Sequence, residues 1–178
     1  IRGNTGGQTD AAAEVIQYLT DKEIVPASSV IEKLSDDNNG WFGYKGKPGE
    51  IIEIDVSKSE TIVPVDESER FYGEVILLID EMTYSAGIVC ATIIQDHNLA
   101  TIVGQPTGGY ANQTGNLAPF HLPNTKLLVL APSRYITRAS GDKRKQPVMP
   151  DIIVDEGNDT TVDVTLEKAN EMMNKLLR

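Results

Sequence analysis

The strongest constraint on the fold is a continuous apolar run over 75–79, Val-Ile-Leu-Leu-Ile, which ends at Asp80. A strand that is apolar on both faces is typical of the interior of a parallel sheet. After a short polar turn, the segment 85–95 reads as a helix that is apolar nearly all round, and such a helix is buried. Together they predict an α/β fold with one partly parallel central sheet flanked by helices.

Shorter patterns predict the remaining elements. Helical spacing of apolar residues predicts helices over 10–20 and 165–177 and favours a short one over 30–34. Short apolar or alternating runs predict strands at 51–56, 62–65, 100–103, 127–131, 135–137 and 152–154. The chain shows no internal repeat and no clear linker, so we expect residues 1–178 to form a single domain.

Composition excludes several classes of function. The chain carries 16 Lys and Arg against 26 Asp and Glu, and this net charge of −10 argues against nucleic acid or an anionic membrane as the main partner. No apolar run approaches the roughly 18 residues that a membrane helix needs. The chain has a single cysteine, Cys90, so an internal disulfide is excluded. Its two histidines, His97 and His121, leave little for a metal site, and we expect no metal and no cofactor.

Ser85 is the first candidate for chemistry, because it follows the apolar strand and opens the apolar helix. Ligands of parallel sheets bind at the carboxyl ends of the strands. A helix N-terminus stabilises an oxyanion, and the backbone N–H of Ala86 is free at that end. The plainer interpretation is that Ser85 merely caps the helix, and on local pattern alone capping is favoured.

Two glycine-containing segments are the other candidates, the turn 2–7 and the loop 104–110. Consecutive glycines let the backbone approach a ligand closely and donate N–H groups to it. Each segment also fits a plain connecting turn. The dinucleotide and P-loop patterns are both absent, so a nucleotide site is not predicted.

Four segments, in order, resemble motifs of the S41 peptidase family, which includes the carboxyl-terminal (tail-specific) processing proteases and the tricorn core protease. Residues 2–7 resemble its Arg-x-Asn-x-Gly-Gly turn, and 75–85 resemble its strand and the Asn-Glu-x-Thr-x-Ser-Ala turn. Residues 101–109 resemble its Ile-Val-Gly-x-x-Thr-x-Gly loop, and 148–152 resemble its Val-x-Pro-Asp-Ile segment. The resemblance covers the chain from Ile1 to about Asp155.

The resemblance implies a crotonase-like fold of the ClpP type and a serine endopeptidase. Ser85 would attack the peptide carbonyl and form an acyl-enzyme. The oxyanion hole would consist of the N–H of Ala86 and an N–H from Gly6 or Gly7. The implied partner is a peptide or protein substrate, with no cofactor, and the family favours a cell-envelope or extracellular location.

One position departs from the family pattern. The tail-specific proteases place a general-base lysine about two dozen residues after the serine, but Tyr110 stands 25 residues after Ser85. A phenol, with an unperturbed pKa near 10, is a poor base. Lys126, Lys143 and Lys145 could substitute in space, without support from the sequence.

The tricorn-type branch instead uses a histidine from a segment before the Gly-Gly turn. We therefore expect a histidine base outside these residues, with residues 1–178 a C-terminal fragment of a longer protein that is inactive alone. That branch also uses a glutamate near the basic loop, where 144–146 read Arg-Lys-Gln. The alternative is a non-catalytic ligand- or peptide-binding module on the same fold. The aromatic loop 41–44 is expected to line the substrate pocket.

Overall fold

The strands form two sheets in the computed structural model, which describes residues 1–40, 45–157 and 161–176. The strands are β1 (Ala27–Lys33), β2 (Ile51–Ile54), β3 (Ile76–Ile79), β4 (Thr101–Gly104), β5 (Gln113–His121), β6 (Leu128–Arg138) and β7 (Ile152–Ile153). One sheet is antiparallel with the order β2-β1-β6-β5, and the other is parallel with the order β3-β4-β7. The expected aromatic pocket loop 41–44 lies outside the described residues.

Helices cover the sheets. They are α1 (Asp10–Ile16), α2 (Val56–Ser59), α3 (Ala86–Asp96) and α4 (Val164–Leu176), with a 3₁₀ turn at Glu67–Glu69. Within the described residues, no helix combines the length and apolar character that crossing a membrane requires. The α/β class with a partly parallel sheet is confirmed, although the strands divide between two sheets rather than one.

The main core lies between the parallel sheet and α3. Ile79 of β3 and Ile102 of β4 are fully buried, and Ile88 and Ile94 of α3 are 1% exposed. Burying each such side chain stabilises the fold by about 1.5–3 kcal/mol. The strand and the helix therefore lie where the apolar runs predicted them. The helix is buried as expected, whereas β3 is fully buried at Ile79 and half-buried over 76–78. Cys90 is buried in the same core, and burial raises the pKa of its thiol.

The short helix predicted over 30–34 is wrong, because this segment belongs to β1. Val30 pairs with Ile54 of β2 on one side and with Ile136 of β6 on the other. The burial of β1 alternates along the strand, and its backbone is hydrogen-bonded to both neighbours. Partners this distant in sequence override a weak local helical pattern.

A buried ion pair joins the antiparallel sheet to α3. Arg138, at the end of β6, donates from Nε to Oδ1 of Asp96 at 3.0 Å and from Nη2 to the same oxygen at 2.5 Å. Asp96 ends α3, and its Oδ2 also accepts the backbone N–H of Ser140 at 3.0 Å. Because both charged side chains are less than a tenth exposed, the pair fixes α3 against the antiparallel sheet.

Candidate active site

Ser85 occupies a strained backbone conformation between β3 and α3. Its φ is 50° and its ψ is −118°, a region that costs a residue with a side chain about 1–3 kcal/mol. It stands at the N-cap position, but its side chain makes no capping hydrogen bond and is exposed. Capping therefore does not account for this serine. The strand–turn–helix geometry presents the hydroxyl to solvent, as a nucleophile elbow does.

Hydrogen bonds within the turn 80–87 hold Ser85 in this conformation. Thr83 is fully buried, and its Oγ1 accepts the backbone N–H of Asp80 at 3.0 Å. The N–H of Gly87 donates to the carbonyl of Tyr84 at 2.9 Å. The N–H of Ala86 donates no hydrogen bond within the described chain. It lies at the N-terminus of α3, which is the positive end of the helix dipole.

The glycine turn 2–7 packs directly on the turn 80–87. The N–H of Gly3 donates to the carboxylate of Asp80 at 3.0 and 2.9 Å. The N–H of Tyr84 donates to the carbonyl of Asn4 at 2.8 Å. Two predicted site segments, far apart in sequence, are therefore in contact.

The two consecutive glycines of the turn differ in their hydrogen bonding. The N–H of Gly6 donates to Oδ1 of Asn4 at 2.9 Å, so this donor is already engaged. The N–H of Gly7 makes no hydrogen bond among the described residues. The N–H groups of Gly7 and Ala86 are thus both unengaged in the described chain.

The third candidate segment, 104–110, also contacts the turn 80–87. The N–H of Gly108 donates to the carbonyl of Thr83 at 3.2 Å. A Cβ added to Gly108 would stand 2.1 Å from the carbonyl oxygen of Glu81, so only glycine permits this approach. All three segments singled out by the sequence converge on the turn that carries Ser85.

Tyr110 contacts the basic loop that follows β6. Its side chain is 46% exposed, and Nζ of Lys145 lies 5.0 Å from its ring centroid. The N–H of Ala111 donates to the carbonyl of Gln146 at 2.9 Å, which ties the two loops together. Among the three lysines considered as substitutes, Lys145 is thus the one that touches the position of the family lysine.

Neither histidine lies near Ser85. His97 follows the last residue of α3, so roughly 18 Å of helix separates it from Ser85, and its Nε2 is buried without a hydrogen-bond partner in the described chain. His121 ends β5, roughly 27 Å of strand from Gln113. Among the described residues, no cluster of histidine, cysteine and carboxylate side chains could hold a metal ion.

Gln113 is a site residue that the sequence did not reveal. Its Nε2 donates to the carbonyl oxygen of Ser85 at 3.2 Å, and that oxygen also accepts the first helical N–H, from Val89, at 3.1 Å. Gln113 begins β5, so this contact ties the antiparallel sheet to the strained turn. A contact across 28 residues leaves no local signal in the sequence.

Arg2 anchors the glycine turn to the last helix. Its Nη1 and Nη2 donate to the two carboxylate oxygens of Asp163 at 2.7 and 2.6 Å. Asp163 precedes α4, and its Oδ1 also accepts the N–H of Leu166 at 2.9 Å. The hydrogen bonds from Arg2, with the smaller contribution of Leu166, lower the pKa of Asp163 to about 2.

Comparison with known proteins finds a matching family and solved structures of the same fold. The model of peptidase family S41 matches residues 1–154. The structure of mature CPAF complexed with lactacystin superposes with a TM-score of 0.67 and 18% identity, over 98% of this chain and 42% of that one. The tricorn protease superposes with a TM-score of 0.52 and 14% identity, over all of this chain and 15% of that one.

A protein of Parabacteroides merdae ATCC 43184, whose peptidase assignment is itself a proposal, gives a TM-score of 0.70 and 18% identity. That superposition covers 97% of this chain and 50% of the other. The chain thus spans about half the length of this relative and less than half the length of CPAF. These identities establish a shared fold. A comparison with curated protein sequences gave no match.

Proposed function

The chain belongs to peptidase family S41, and from this membership we propose that it is a serine endopeptidase domain with Ser85 as its nucleophile. The observation that carries the proposal is the strained, exposed Ser85, whose side chain does not cap the helix that it begins. A protein maintains such strain where the surrounding structure over-determines it, and that is common at catalytic sites. We further propose that residues 1–178 form the catalytic core.

In this mechanism the Oγ of Ser85 attacks the carbonyl carbon of the scissile peptide bond. The hydroxyl proton passes to a general base and then to the departing amine, which leaves an ester on Ser85. Water hydrolyses that ester, regenerates the hydroxyl and releases the carboxylic acid. The tetrahedral oxyanions before and after the ester need hydrogen-bond donors, which are worth about 3 kcal/mol each in catalysis.

We assign the oxyanion hole to the N–H groups of Ala86 and Gly7. Both are unengaged in the described chain, whereas the N–H of Gly6 is committed to Asn4. Gly6 has a different role in this proposal, because its missing side chain is what lets the turn lie against Ser85. This assignment narrows the choice between Gly6 and Gly7 that the resemblance left open.

We propose that the general base is a histidine supplied by polypeptide outside these 178 residues. In support, His97 and His121 both lie far from Ser85, and Tyr110 stands where the tail-specific branch has its lysine. Nζ of Lys145 lies over the ring of Tyr110, 5.0 Å from its centroid, so this ammonium is engaged in a cation–π contact.

The test is chemical rescue of the missing base. The chain is incubated with a fluorophosphonate probe at neutral pH, with and without imidazole, and the labelled residue is identified by peptide mass spectrometry. We expect slow labelling of Ser85 without imidazole and acceleration of at least about tenfold with it, because imidazole replaces the histidine. Ser85→Ala should abolish the label, and Lys145→Met should leave the imidazole-dependent rate unchanged.

Two outcomes would contradict parts of the proposal separately. If Ser85 stays unlabelled under both conditions while the chain binds peptides, the binding-module interpretation, which the loss of the lysine at Tyr110 favours, would replace the enzyme. If the chain cleaves peptides rapidly without imidazole and Lys145→Met abolishes this, the base is Lys145 rather than an external histidine.

A further inference from the structure

A cavity opens where the pairing between β5 and β6 is interrupted. The ladder pairs Gly115 and Leu117 with residues of β6 but omits Asn116, whose φ of 54° lies in the left-handed region. The cavity has a volume of about 250 Å³. Pockets that take whole small molecules usually span about 300–1,000 Å³, so this one suits a single long side chain. Its lining includes Asp37, Asn38, Asn116, Leu117, Pro119 and Ser133.

A buried carboxylate holds three of the lining side chains in place. Glu32 is 4% exposed, and its Oε1 accepts Nδ2 of Asn38 at 3.0 Å and Nδ2 of Asn116 at 2.7 Å. The hydroxyl of Ser133 donates to the same oxygen. Arg134 donates from Nε to Oε2 of Glu32 at 2.7 Å and thereby balances its charge. This part of the lining is therefore fixed before a ligand binds, which lowers the entropic cost of binding.

Asp37 gives the cavity a negative charge that nothing balances. It is the one charged residue among the described residues that line the cavity. It is exposed, and its carboxylate makes no hydrogen bond or ion pair with the described part of the chain. Leu117 and Pro119 add apolar surface to the same cavity. Lysine and arginine side chains match this combination, because each has an aliphatic stem that ends in a cation.

The cavity lies within reach of Ser85 along β5. Gln113, the first residue of β5, donates from Nε2 to the carbonyl oxygen of Ser85 at 3.2 Å. Asn116 follows three residues later, so about 10 Å of strand separates the cavity from this contact. An extended peptide covers that distance in about three residues. A peptide with its scissile bond at Ser85 can therefore place a nearby side chain in the cavity.

We propose that this cavity is a substrate subsite for a lysine or arginine side chain, three or four residues from the bond that Ser85 cleaves. The inference rests on the proposed peptidase function. The net charge of −10 attracts basic peptides at long range. Asp37 repels an acidic side chain, and an apolar side chain leaves its carboxylate without a partner. The subsite therefore selects positive charge.

Peptide titration followed by proton–nitrogen NMR spectroscopy tests the subsite without any reaction at Ser85. Two octapeptides are added to the 178-residue chain. They are identical except that a central lysine in one is norleucine in the other, which keeps the apolar stem and lacks the charge. We expect the lysine peptide to bind about tenfold more tightly, since only it forms a charge-assisted contact. It should shift the amide resonances of Asn38, Asn116 and Leu117, and added salt should weaken its binding.

Two neighbouring aspartates provide a matched pair of variants. Asp37→Asn should remove the preference for lysine over norleucine. Asp36→Asn should retain it, because Asp36 is exposed but does not line the cavity. Equal affinity of the wild-type chain for the two peptides overturns the proposal. A preference that Asp37→Asn leaves unchanged overturns it as well.

Protection of Ser85 connects the cavity to the reaction. The chain is labelled with a fluorophosphonate in the presence of imidazole and saturating peptide. The lysine octapeptide extends three or four residues on either side of its lysine, so it should slow the labelling severalfold in the wild-type chain and not in Asp37→Asn. A lysine tripeptide, too short to span the cavity and Ser85, should not slow it. Binding of the octapeptide without protection overturns the assignment as a substrate subsite. Labelling by the probe alone decides the proposed function separately, because it does not involve Asp37.

Discussion

Gly6 lies so close to Ser85 that a side chain at position 6 would place its Cβ 2.6 Å from the Cβ of Ser85 and 3.1 Å from its Oγ. Real Cβ contacts are never this short, so either the glycine turn or the serine would have to move. The φ of Gly6, +118°, adds strain for any other residue. The absence of a side chain at position 6 thus lets the glycine turn lie directly against Ser85.

Gly6→Ala should therefore suppress acylation of Ser85 by a fluorophosphonate by about a hundredfold or more, since sub-ångström to 1 Å displacements carry such costs. Gly3→Ala is the matched control. Gly3 has a φ of +69° and nothing within 4 Å of an added Cβ, so this change should cost about 1 kcal/mol of stability and leave acylation nearly unchanged. Equal loss of acylation in both variants would show that the contact with Ser85 is not what matters.

Replacing Ser85 itself should separate strain from catalysis. Ser85→Gly and Ser85→Ala both remove the hydroxyl, but only glycine adopts a φ of 50° and a ψ of −118° without strain. We expect the glycine variant to be more stable than the alanine variant by about 1 kcal/mol, after allowing for the greater entropy of unfolded glycine. Urea denaturation measures the difference. An alanine variant at least as stable would mean that the turn is relaxed.

Sequence patterns predicted the parallel part of the fold better than the antiparallel part. The run 75–79 and the helix after it are apolar on every side, so no knowledge of their neighbours was needed. β1 has no such apolar run, because it contains Glu32, which is 4% exposed in the structure. The strands that pair with β1 also lie tens of residues away in the chain. Only the folded structure shows what makes burial of that glutamate tolerable.

The same distinction applies to the candidate site. Ser85 and the consecutive glycines stand out because their residue types are unusual next to a buried strand. The sequence did not decide whether Gly6 or Gly7 would supply an N–H to the proposed oxyanion hole. That choice depends on the side-chain carbonyl of Asn4, which accepts the N–H of Gly6 and not that of Gly7. Gln113 was missed because an isolated glutamine carries no periodicity and its partner is distant.

Glu32 is the centre of a buried polar network whose removal should be costly. Its Oε1 accepts Nδ2 of Asn38 at 3.0 Å and Nδ2 of Asn116 at 2.7 Å, and its Oε2 accepts Nε of Arg134 at 2.7 Å. The hydroxyl of Ser133 donates to Oε1 as well. Burial by itself raises the pKa of Glu32, but these hydrogen bonds outweigh it and lower the pKa, so the side chain is ionised at neutral pH.

Glu32→Gln should therefore destabilise the chain by about 3 kcal/mol, because it removes the buried carboxylate that the partly buried guanidinium of Arg134 pairs with most closely. Glu53→Gln is the control: Glu53 lies on the adjacent strand, pairs with Ile31 in register and is exposed, so its change should stay within about 0.5 kcal/mol. Chemical denaturation of both variants gives the comparison. Equal effects would show that the network contributes nothing specific.

The pair of Arg2 and Asp163 should make stability depend on pH in a defined window. The pKa of Asp163 is about 2 in the folded chain against an ordinary value of 3.8, chiefly because of the hydrogen bonds from Arg2. A carboxyl group whose pKa is lowered by folding contributes stability above its unfolded pKa and loses it as the pH falls towards the folded value. The wild-type chain should thus be more stable than Asp163→Asn at pH 6.

The difference in free energy of unfolding between the wild-type chain and Asp163→Asn should remain constant down to about pH 4 and then shrink steadily towards pH 2. It shrinks because protonation of Asp163 removes its negative charge, which the asparagine variant lacks at every pH. The other acidic residues titrate in both chains, so comparing the two by urea denaturation at each pH cancels their effect. Since the pair lies at the surface, with the side chains of Arg2 and Asp163 27% and 42% exposed, added salt should reduce the difference at pH 6. A difference that does not change between pH 6 and pH 3 would show that Arg2 does not hold the carboxylate of Asp163 in solution.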